Sequence, residues 1–187
     1  MKVKKKYFER EEKRKLKDIK AIVVHWSGGS VVPDLQALWK WMNSESKNSY
    51  HYLISKNKIL QTRDLEYRAI HCGHKKYTPK AVNYFGYKVC SAYDSPNNYT
   101  LGVCMLHDAL DGSYATTTMD SAIDLLSLLC IDYNLDPMKD ILRHSDLTTE
   151  KAVPCPKGFF EEDDDPDDLW NTFKEWIRDR KKYYQGC

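Results

Sequence analysis

The sequence predicts an α/β domain with a central mixed β-sheet flanked by helices. Short runs of β-branched and aromatic residues alternate along the chain with longer segments in which apolar residues recur every three or four positions. Such alternation is typical of a sheet whose faces are covered by helices. The chain has 187 residues, of which 42% are hydrophobic, so it can form one domain with a sizeable core and an additional segment.

The strands are predicted from short apolar runs that end at turn residues. Residues 21–26 (AIVVHW) show no polar–apolar alternation and are followed by a Ser-Gly-Gly turn, a pattern typical of a central strand buried on both faces. Residues 49–55 and 59–63 flank a turn at 56–58 and predict a hairpin. Further strands are predicted over three segments: 67–72, 99–106 and 141–143.

Three segments have the spacing of amphipathic helices. In residues 117–133 apolar side chains recur at three and four positions, and Asn134 and Pro137 mark the end of the helix. Residues 33–42 place their apolar residues on one helical stripe, and a last helix is expected to begin after Asp165 and to pack on the domain. The apolar stripe of this last helix consists of Leu169, Trp170, Phe173, Trp176 and Ile177.

The remaining segments define the expected organisation of the chain. Residues 4–18 are highly charged and predict a helix within a charged N-terminal extension of residues 1–19. Residues 73–97 predict a long loop, and a loop of this length inside a compact domain is more often functional than not. The domain itself is expected to span residues 20–160, followed by an acidic linker and the C-terminal helix over 161–187.

The charge balance bears on partners and on location. The formal net charge is +2, so no nucleic acid is expected as a partner, because nucleic-acid-binding domains are usually strongly basic. The N-terminal residues are charged and do not resemble a secretory signal peptide, and no run approaches the ~18 apolar residues of a transmembrane segment. We therefore expect the protein to be made in a cytoplasm without a signal peptide. No pattern in the sequence predicts an oligomeric state.

The six cysteines are spread along the chain without a C-x-x-C pair. Neither a zinc knuckle nor a dithiol redox motif is therefore predicted. Without a signal peptide, a disulfide framework is not expected either. Cys104 and Cys130 lie in apolar periodic segments and are interpreted as core residues.

Two histidines and one cysteine stand at positions suited to binding a metal. His25 lies at the end of the predicted strand 21–26, and His144 directly follows the predicted strand 141–143. Each histidine taken alone is more typical of a structural residue than of a ligand. Cys155, which stands between two prolines, completes a two-His, one-Cys set, and such a set leaves the fourth position of tetrahedral zinc open for water. The three residues together predict a catalytic zinc site.

A series of short motifs occurs in an order that resembles a known family. The motifs are IVVHWSGG (22–29), SYHYLI (49–54), IHCG (70–73), YTLGV (99–103), RHSDLTTEK (143–151) and PCP (154–156). In this order, over residues 20–160, the sequence resembles the type-2 N-acetylmuramoyl-L-alanine amidases, which include phage lysozyme-type amidases and peptidoglycan-recognition proteins. The resemblance implies a zinc cofactor held by the two histidines and the cysteine described above.

The resemblance also implies catalytic roles for a tyrosine and a lysine. The catalytic tyrosine of the family falls on Tyr50 and its catalytic lysine on Lys151. The stretch between His144 and Cys155 is a few residues longer than in the phage enzymes, so Lys157 is the alternative lysine.

The other candidate site residues have both a functional and a structural interpretation. On a strand, Tyr50 and Tyr52 share one face while His51 points to the other, so Tyr50 is assigned to the site and His51 to packing. The resemblance favours contact between His71 and the substrate, although a structural role is nearly as consistent. Trp26, beside a predicted ligand, is interpreted as a wall of the substrate groove or as a core residue.

Three more polar residues are weighed in the same way. Asp146 could orient His144 by accepting a hydrogen bond from it, although it could equally cap the turn. His74 and His107 are interpreted as surface residues.

Taken together, the resemblance implies hydrolysis of the amide bond between N-acetylmuramic acid and L-alanine in peptidoglycan. Such hydrolysis needs a water nucleophile, which bound zinc supplies at neutral pH, and a cation such as Lys151 to stabilise the oxyanion. The setting implied is a phage or prophage endolysin, made in the host cytoplasm and released to the cell wall by a holin; a bacterial autolysin or recycling enzyme is the alternative setting within the same chemistry. The alternative is a non-catalytic peptidoglycan-binding module of the same fold, but members that lost activity typically lost the cysteine ligand, and Cys155 is present.

Overall fold

The computed structural model describes residues 2–8, 15–28, 34–44, 48–72, 76–91, 93–109, 111–148, 154–159 and 166–186. The strands in this part of the chain are β1 (Val3–Lys5), β2 (Ala21–Trp26), β3 (Tyr52–Ser55), β4 (Lys58–Gln61), β5 (Thr100–Met105) and β6 (Ile141–Arg143). The helices are α1 (Leu35–Ser44), α2 (Pro79–Phe85), α3 (Thr116–Asp132), α4 (Pro137–Asp140), α5 (His144–Leu147) and α6 (Pro166–Gln185), with short 3-10 helices at Pro96–Asn98 and Lys157–Phe159.

The strands form one mixed sheet in the order β1-β4-β3-β5-β2-β6. The hairpin strands β3 and β4 are antiparallel, and the other pairs among the described strands are parallel. Strand β2 lies between β5 and β6, and its first five residues are buried, as its apolar sequence predicts. The predicted fold class, a central mixed sheet flanked by helices, is confirmed.

Helices α3 and α6 cover one face of the sheet. Alternate residues of β2, Ile22 and Val24, belong to the core on this side, together with Leu126 of α3 and Phe173 of α6. The opposite face is covered by α1 at one end and by α2 and α5 at the other, in two separate apolar clusters. Because side chains alternate along a strand, His25 points to this second face.

Two expectations for short segments are wrong. Residues 3–5 form strand β1 rather than part of a helix over 4–18, since their backbone pairs with β4 and forms the edge of the sheet. Residues 67–72 contain a single bridge, between Tyr67 and Lys15, and no strand. Both segments are short and gain their structure from partners that are distant in sequence, so local patterns do not predict it.

The segment 73–97, predicted as a loop, contains helix α2. The hydroxyl of Thr78 accepts a hydrogen bond from the backbone N–H of Ala81, and Pro79 occupies the first helical position. This Thr-Pro start is a recognised signal for the beginning of a helix. The sequence therefore predicts the helix through its N-terminal cap, although the helix is too short to show a clear apolar periodicity.

The main helices and the hairpin are confirmed. Helix α3 begins and ends within one residue of the predicted 117–133, and α6 buries Trp170, Phe173 and Ile177 against the domain. Asp165, predicted to precede α6, lies outside the described residues. No helix in the described part of the chain is both long enough and apolar enough to cross a bilayer.

Candidate metal centre

The sheet brings the two predicted histidine ligands to the same edge. His25 is the fifth residue of β2, and His144 begins α5 directly after β6. Since β2 and β6 are adjacent and parallel, their carboxyl ends lie side by side, where α/β sheets commonly place their functional residues. Cys155 joins them because its carbonyl oxygen accepts a hydrogen bond from the backbone N–H of Ser145, at 2.9 Å.

The ligand atoms of His25, His144 and Cys155 all lie within 4.8 Å of one another. The Sγ atom of Cys155 is 3.9 Å from Nδ1 of His25, and the centroids of the two imidazole rings are 4.6 Å apart. All three side chains are buried. Two imidazole nitrogens and one thiol are donors that zinc prefers, and three protein ligands are typical of catalytic zinc sites. The donor set and its convergence therefore fit a zinc ion.

Tyr50 lies directly beside this cluster. Its ring centroid is 4.9 Å from that of His25, and only 9% of the side chain is exposed. Burial raises the pKa of Tyr50 well above its ordinary value, and the nearby thiol groups of Cys104 and Cys155 act in the same direction. The hydroxyl therefore stays protonated at neutral pH and can donate a hydrogen bond.

The expectation that Tyr50 and Tyr52 share one face of a strand is wrong. Tyr50 packs with Leu53 in the cluster under α1, whereas Tyr52 belongs to the core under α3. The two tyrosines do not share a face, because regular strand geometry begins only at Tyr52. His51, assigned to packing, is fully buried and hydrogen-bonded to backbone groups.

His71 also contacts the candidate metal-binding cluster. Its Nδ1 atom lies 3.0 Å from Nε2 of His25, and its Nε2 atom lies 3.3 Å from the hydroxyl of Thr100. The side chain is 6% exposed, and burial lowers the pKa of His71 well below its ordinary value. Contact between His71 and the substrate stays a prediction.

Trp26 is the last residue of β2, directly after His25 in the sequence, and is partly exposed. Its ring centroid lies 4.9 Å from that of His107, and Nδ1 of His107 is at hydrogen-bond distance, 2.8 Å, from the hydroxyl of Ser27. The interpretation of His107 as a surface residue is wrong, because it is 2% exposed. His74 lies outside the described residues. The role of Trp26 as a groove wall stays a prediction.

Of the two candidate lysines, the structure describes only Lys157. Lys151 lies in the segment 149–153, which is outside the described residues. Lys157 is described and begins a 3-10 helix two residues after Cys155. Its side chain lies over Gly112, where an added Cβ would be 3.0 Å from Cβ and Cδ of Lys157.

Asp146 caps the turn that follows β6. Its carboxylate accepts hydrogen bonds from the backbone N–H of Arg143 at 2.9 Å, from the guanidinium of Arg143 at 3.0 Å and from Lys80 at 2.9 Å. Burial alone would raise the pKa of Asp146, but the hydrogen bonds and charge of Arg143 and the contact with Lys80 outweigh burial and lower it. Of the two interpretations of Asp146, the structure supports turn capping.

The mixed sheet and the His–His–Cys cluster define an α/β protein with a candidate metal centre at the carboxyl edge of its parallel strands. The chain belongs to the N-acetylmuramoyl-L-alanine amidase family, whose model matches residues 15–157. A curated relative, the N-acetylmuramoyl-L-alanine amidase BlyA of Bacillus subtilis (strain 168), is 28% identical over 143 residues. The match covers 76% of this chain and 38% of BlyA, so the chain spans well under half of the length of that relative.

Several solved structures share the fold. The catalytic domain of PlyG has a TM-score of 0.69 at 19% identity, with 97% of this chain and 96% of that domain covered. A mutant endolysin from Bacillus subtilis has a TM-score of 0.66 at 16% identity, with 94% and 98% covered. The Staphylococcus aureus hydrolase AmiA, solved in complex with its ligand, has a TM-score of 0.68 at 14% identity, with 100% and 86% covered. At these identities the likeness concerns the fold.

Proposed function

We propose that the protein is a zinc-dependent N-acetylmuramoyl-L-alanine amidase that hydrolyses the amide bond between N-acetylmuramic acid and L-alanine in peptidoglycan. The observation that carries the proposal is the convergence of His25, His144 and Cys155 within 4.8 Å at the sheet edge. Membership of the amidase family supports the choice of bond.

The donor set determines what chemistry the site can perform. Bound by these three residues, a zinc ion would lower the pKa of a water in its open position to about 7 and would polarise the scissile carbonyl. Two neutral imidazoles and one thiolate carry a single negative charge, so the centre with zinc keeps a net positive charge. That charge favours the oxyanion that forms during amide hydrolysis.

Tyr50 is proposed as a catalytic residue because its protonated hydroxyl belongs to a ring that contacts His25. A hydroxyl with a raised pKa donates a hydrogen bond to the oxyanion without losing its proton. Lys151 is proposed from the resemblance alone, as a cation that stabilises the same charge, and Lys157 remains the alternative. Trp26 is proposed as a groove wall, since it is partly exposed at the end of the strand that carries His25.

The biological setting that we propose is a phage or prophage endolysin that acts on the bacterial cell wall after holin-type release. The strand in which some family members carry a glutamate has Cys104 here, as in the phage-lysozyme branch. Cys104 is fully buried next to β2, so it supplies no exposed acid or base.

The proposal is tested by mass spectrometry of purified peptidoglycan after digestion. We expect stem peptides with new free L-alanine amino termini and intact glycan strands, and we expect a chelator to abolish their release and zinc to restore it. The variant Cys155→Ser loses a zinc ligand, so its rate of peptidoglycan hydrolysis should fall. Removing only a residue that supports a metal ligand costs about 10–100-fold, and the fall in Cys155→Ser should be at least as large.

The matched control is Cys90→Ser, which makes the same change at a partly exposed cysteine outside the site and should leave the rate unchanged. Release of L-alanine termini by metal-free protein would contradict the zinc mechanism. Binding to peptidoglycan without any release would instead identify the protein as a non-catalytic binding module.

A further inference from the structure

We propose that His71 is a positioning residue that fixes the tautomer of His25 and thereby directs the Nδ1 lone pair of His25 toward the metal. This inference deepens the proposed function, since it rests on zinc binding by His25, His144 and Cys155. The buried contact between His71 and His25 has no part in the catalytic roles of Tyr50 and the candidate lysines.

The two ring nitrogens of His25 face different partners. Nδ1 lies 3.9 Å from Sγ of Cys155, on the side where the ligand atoms converge, and Nε2 lies 3.0 Å from Nδ1 of His71. A histidine that binds a metal through Nδ1 carries its proton on Nε2, and the partner of that proton decides which nitrogen is free. Here the partner is His71, so His25 Nε2–H donates to Nδ1 of His71.

The other side of His71 determines which of its own nitrogens carries the proton. The hydroxyl of Thr100 has one proton and donates it to the carbonyl oxygen of Pro96, at 2.9 Å. Toward Nε2 of His71, at 3.3 Å, the same hydroxyl acts as an acceptor. The proton of His71 therefore lies on Nε2, and its Nδ1 keeps the lone pair that His25 needs. The hydrogen bonds run in one direction from His25 through His71 to Thr100 and end at a backbone carbonyl.

The backbone around His71 holds its ring in this place. A Cβ added to Gly102 would lie 2.7 Å from Cγ and Cδ2 of His71 and 2.9 Å from its Nδ1, so the ring lies directly on the glycine of β5. The side-chain oxygen of Asn97 accepts hydrogen bonds from the backbone N–H groups of His71 and Cys72, both at 2.9 Å. Because Gly102 packs against one face of the ring and Asn97 holds the backbone of His71, the Nδ1 atom of His71 has a single position relative to His25.

These contacts favour positioning over substrate contact as the role of His71. Both of its ring nitrogens face protein atoms, and only 6% of the side chain is exposed. Partners that orient a metal-bound histidine typically change metal affinity or activity by 10–100-fold when they are removed. An effect of that size on zinc affinity is the measurable consequence of the proposal.

The first test uses the unmodified chain without metal. A two-bond proton–nitrogen correlation spectrum of the ¹⁵N-labelled protein reports which ring nitrogen of each neutral histidine is protonated. We expect His25 to be protonated at Nε2 and to be unprotonated at Nδ1. A proton on Nδ1, or an average of the two tautomers, would overturn the proposal.

The second test measures zinc affinity by competition with a chromophoric chelator. His71→Leu keeps much of the volume of the ring but removes the acceptor, so its affinity should fall by about 10–100-fold. His71→Asn places an amide oxygen near the former Nδ1 position and should recover most of the affinity. Thr100→Val removes the hydroxyl that accepts the hydrogen bond from Nε2 of His71. The proton of His25 should then be held less completely on Nε2.

The outcomes separate positioning from packing and from the proposed function. Wild-type zinc affinity in His71→Leu, or equal losses in the Leu and Asn variants, would show that His71 only fills space. If His71→Leu does not fold, the unmodified protein and Thr100→Val still decide the question. If the unmodified protein binds no zinc, the proposed function fails, whereas the tautomer of His25 in the metal-free protein is measured independently.

Discussion

His51 is held by hydrogen bonds at both of its ring nitrogens. The backbone N–H of Gly102 donates to Nδ1, and Nε2 donates to the carbonyl oxygen of Tyr67, each at 2.9 Å. A protonated ring would turn Nδ1 into a donor and lose the bond from Gly102. The ring is also fully buried, and this burial lowers the pKa of His51 to about 4.

His51 is therefore expected to make the protein sensitive to acid. The pKa is about 6.5 in the unfolded chain and about 4 in the folded one, so the stabilisation is complete above pH ~6.5 and is lost as the pH falls toward ~4. At about 1.36 kcal/mol per unit of pKa, the loss amounts to about 3 kcal/mol. The measurement is the NMR titration of the His51 Cε1–H resonance, together with urea unfolding across this pH range.

The contradicting result is a His51 resonance that titrates near pH 6.5 with the protein still folded. Unfolding of His51→Asn provides the control, since an amide oxygen can accept the bond from Gly102 but does not titrate. Its stability should fall less steeply between pH 6.5 and pH 4 than that of the unmodified protein.

At the scale of secondary structure, helix α6 is part of the core and also contacts the segment that carries the candidate ligand His144. Phe173 lies in a group of aromatic rings with Phe159 and Trp170, at centroid distances of 4.8 Å and 5.6 Å. Near the start of α6, Asp167 forms an ion pair with Arg143 at 2.7 Å, and the guanidinium of Arg143 also lies over Trp170. Since Arg143 directly precedes His144, the helix supports the end of β6.

Removing a buried ring from α6 should destabilise the whole domain. Phe173→Ala empties a fully buried site and should cost about 3–5 kcal/mol in the free energy of unfolding. Trp176 lies on the same helix but is 47% exposed, so Trp176→Ala should cost clearly less. Urea denaturation of both variants checks this, and equal losses would show that α6 is not packed as described.

At the scale of the whole molecule, the candidate metal centre joins segments that are far apart in the sequence. His25, His144 and Cys155 come from β2, from α5 and from the loop before the second 3-10 helix. These residues converge only when the sheet has formed, so we expect the folded state to bind an ion at this candidate site much better than the unfolded chain does. Binding of this kind stabilises the folded state by mass action.

Zinc is therefore expected to raise the stability of the protein. At a free zinc concentration 100 times the Kd, the gain is about 2.7 kcal/mol. Thermal unfolding with and without a chelator measures it, and the effect should vanish in Cys155→Ser but persist in Cys90→Ser. A zinc-dependent shift that survives in Cys155→Ser would show that the ion binds elsewhere.

Much of the fold follows from local patterns in the sequence. The apolar run of β2 and the three-and-four spacing of α3 predict elements whose bounds the structure confirms within one residue. Helix α2 carries a usable signal in Thr78 and Pro79. Strand β1 has no such signal in its sequence, because one valine and two lysines form a strand only through pairing with β4.

The sequence by itself determines the class of fold, the family and the three candidate metal ligands, because strand periodicity and ordered motifs depend on residue types and spacing. The tertiary structure alone decides how these side chains are used. The contact of His71 with His25, the hydroxyl of Thr100 behind it and the glycine under its ring depend on β2, β5 and a loop meeting in space. Hydrogen bonds at about 3 Å act only between atoms that folding brings together, and residue spacing does not encode them.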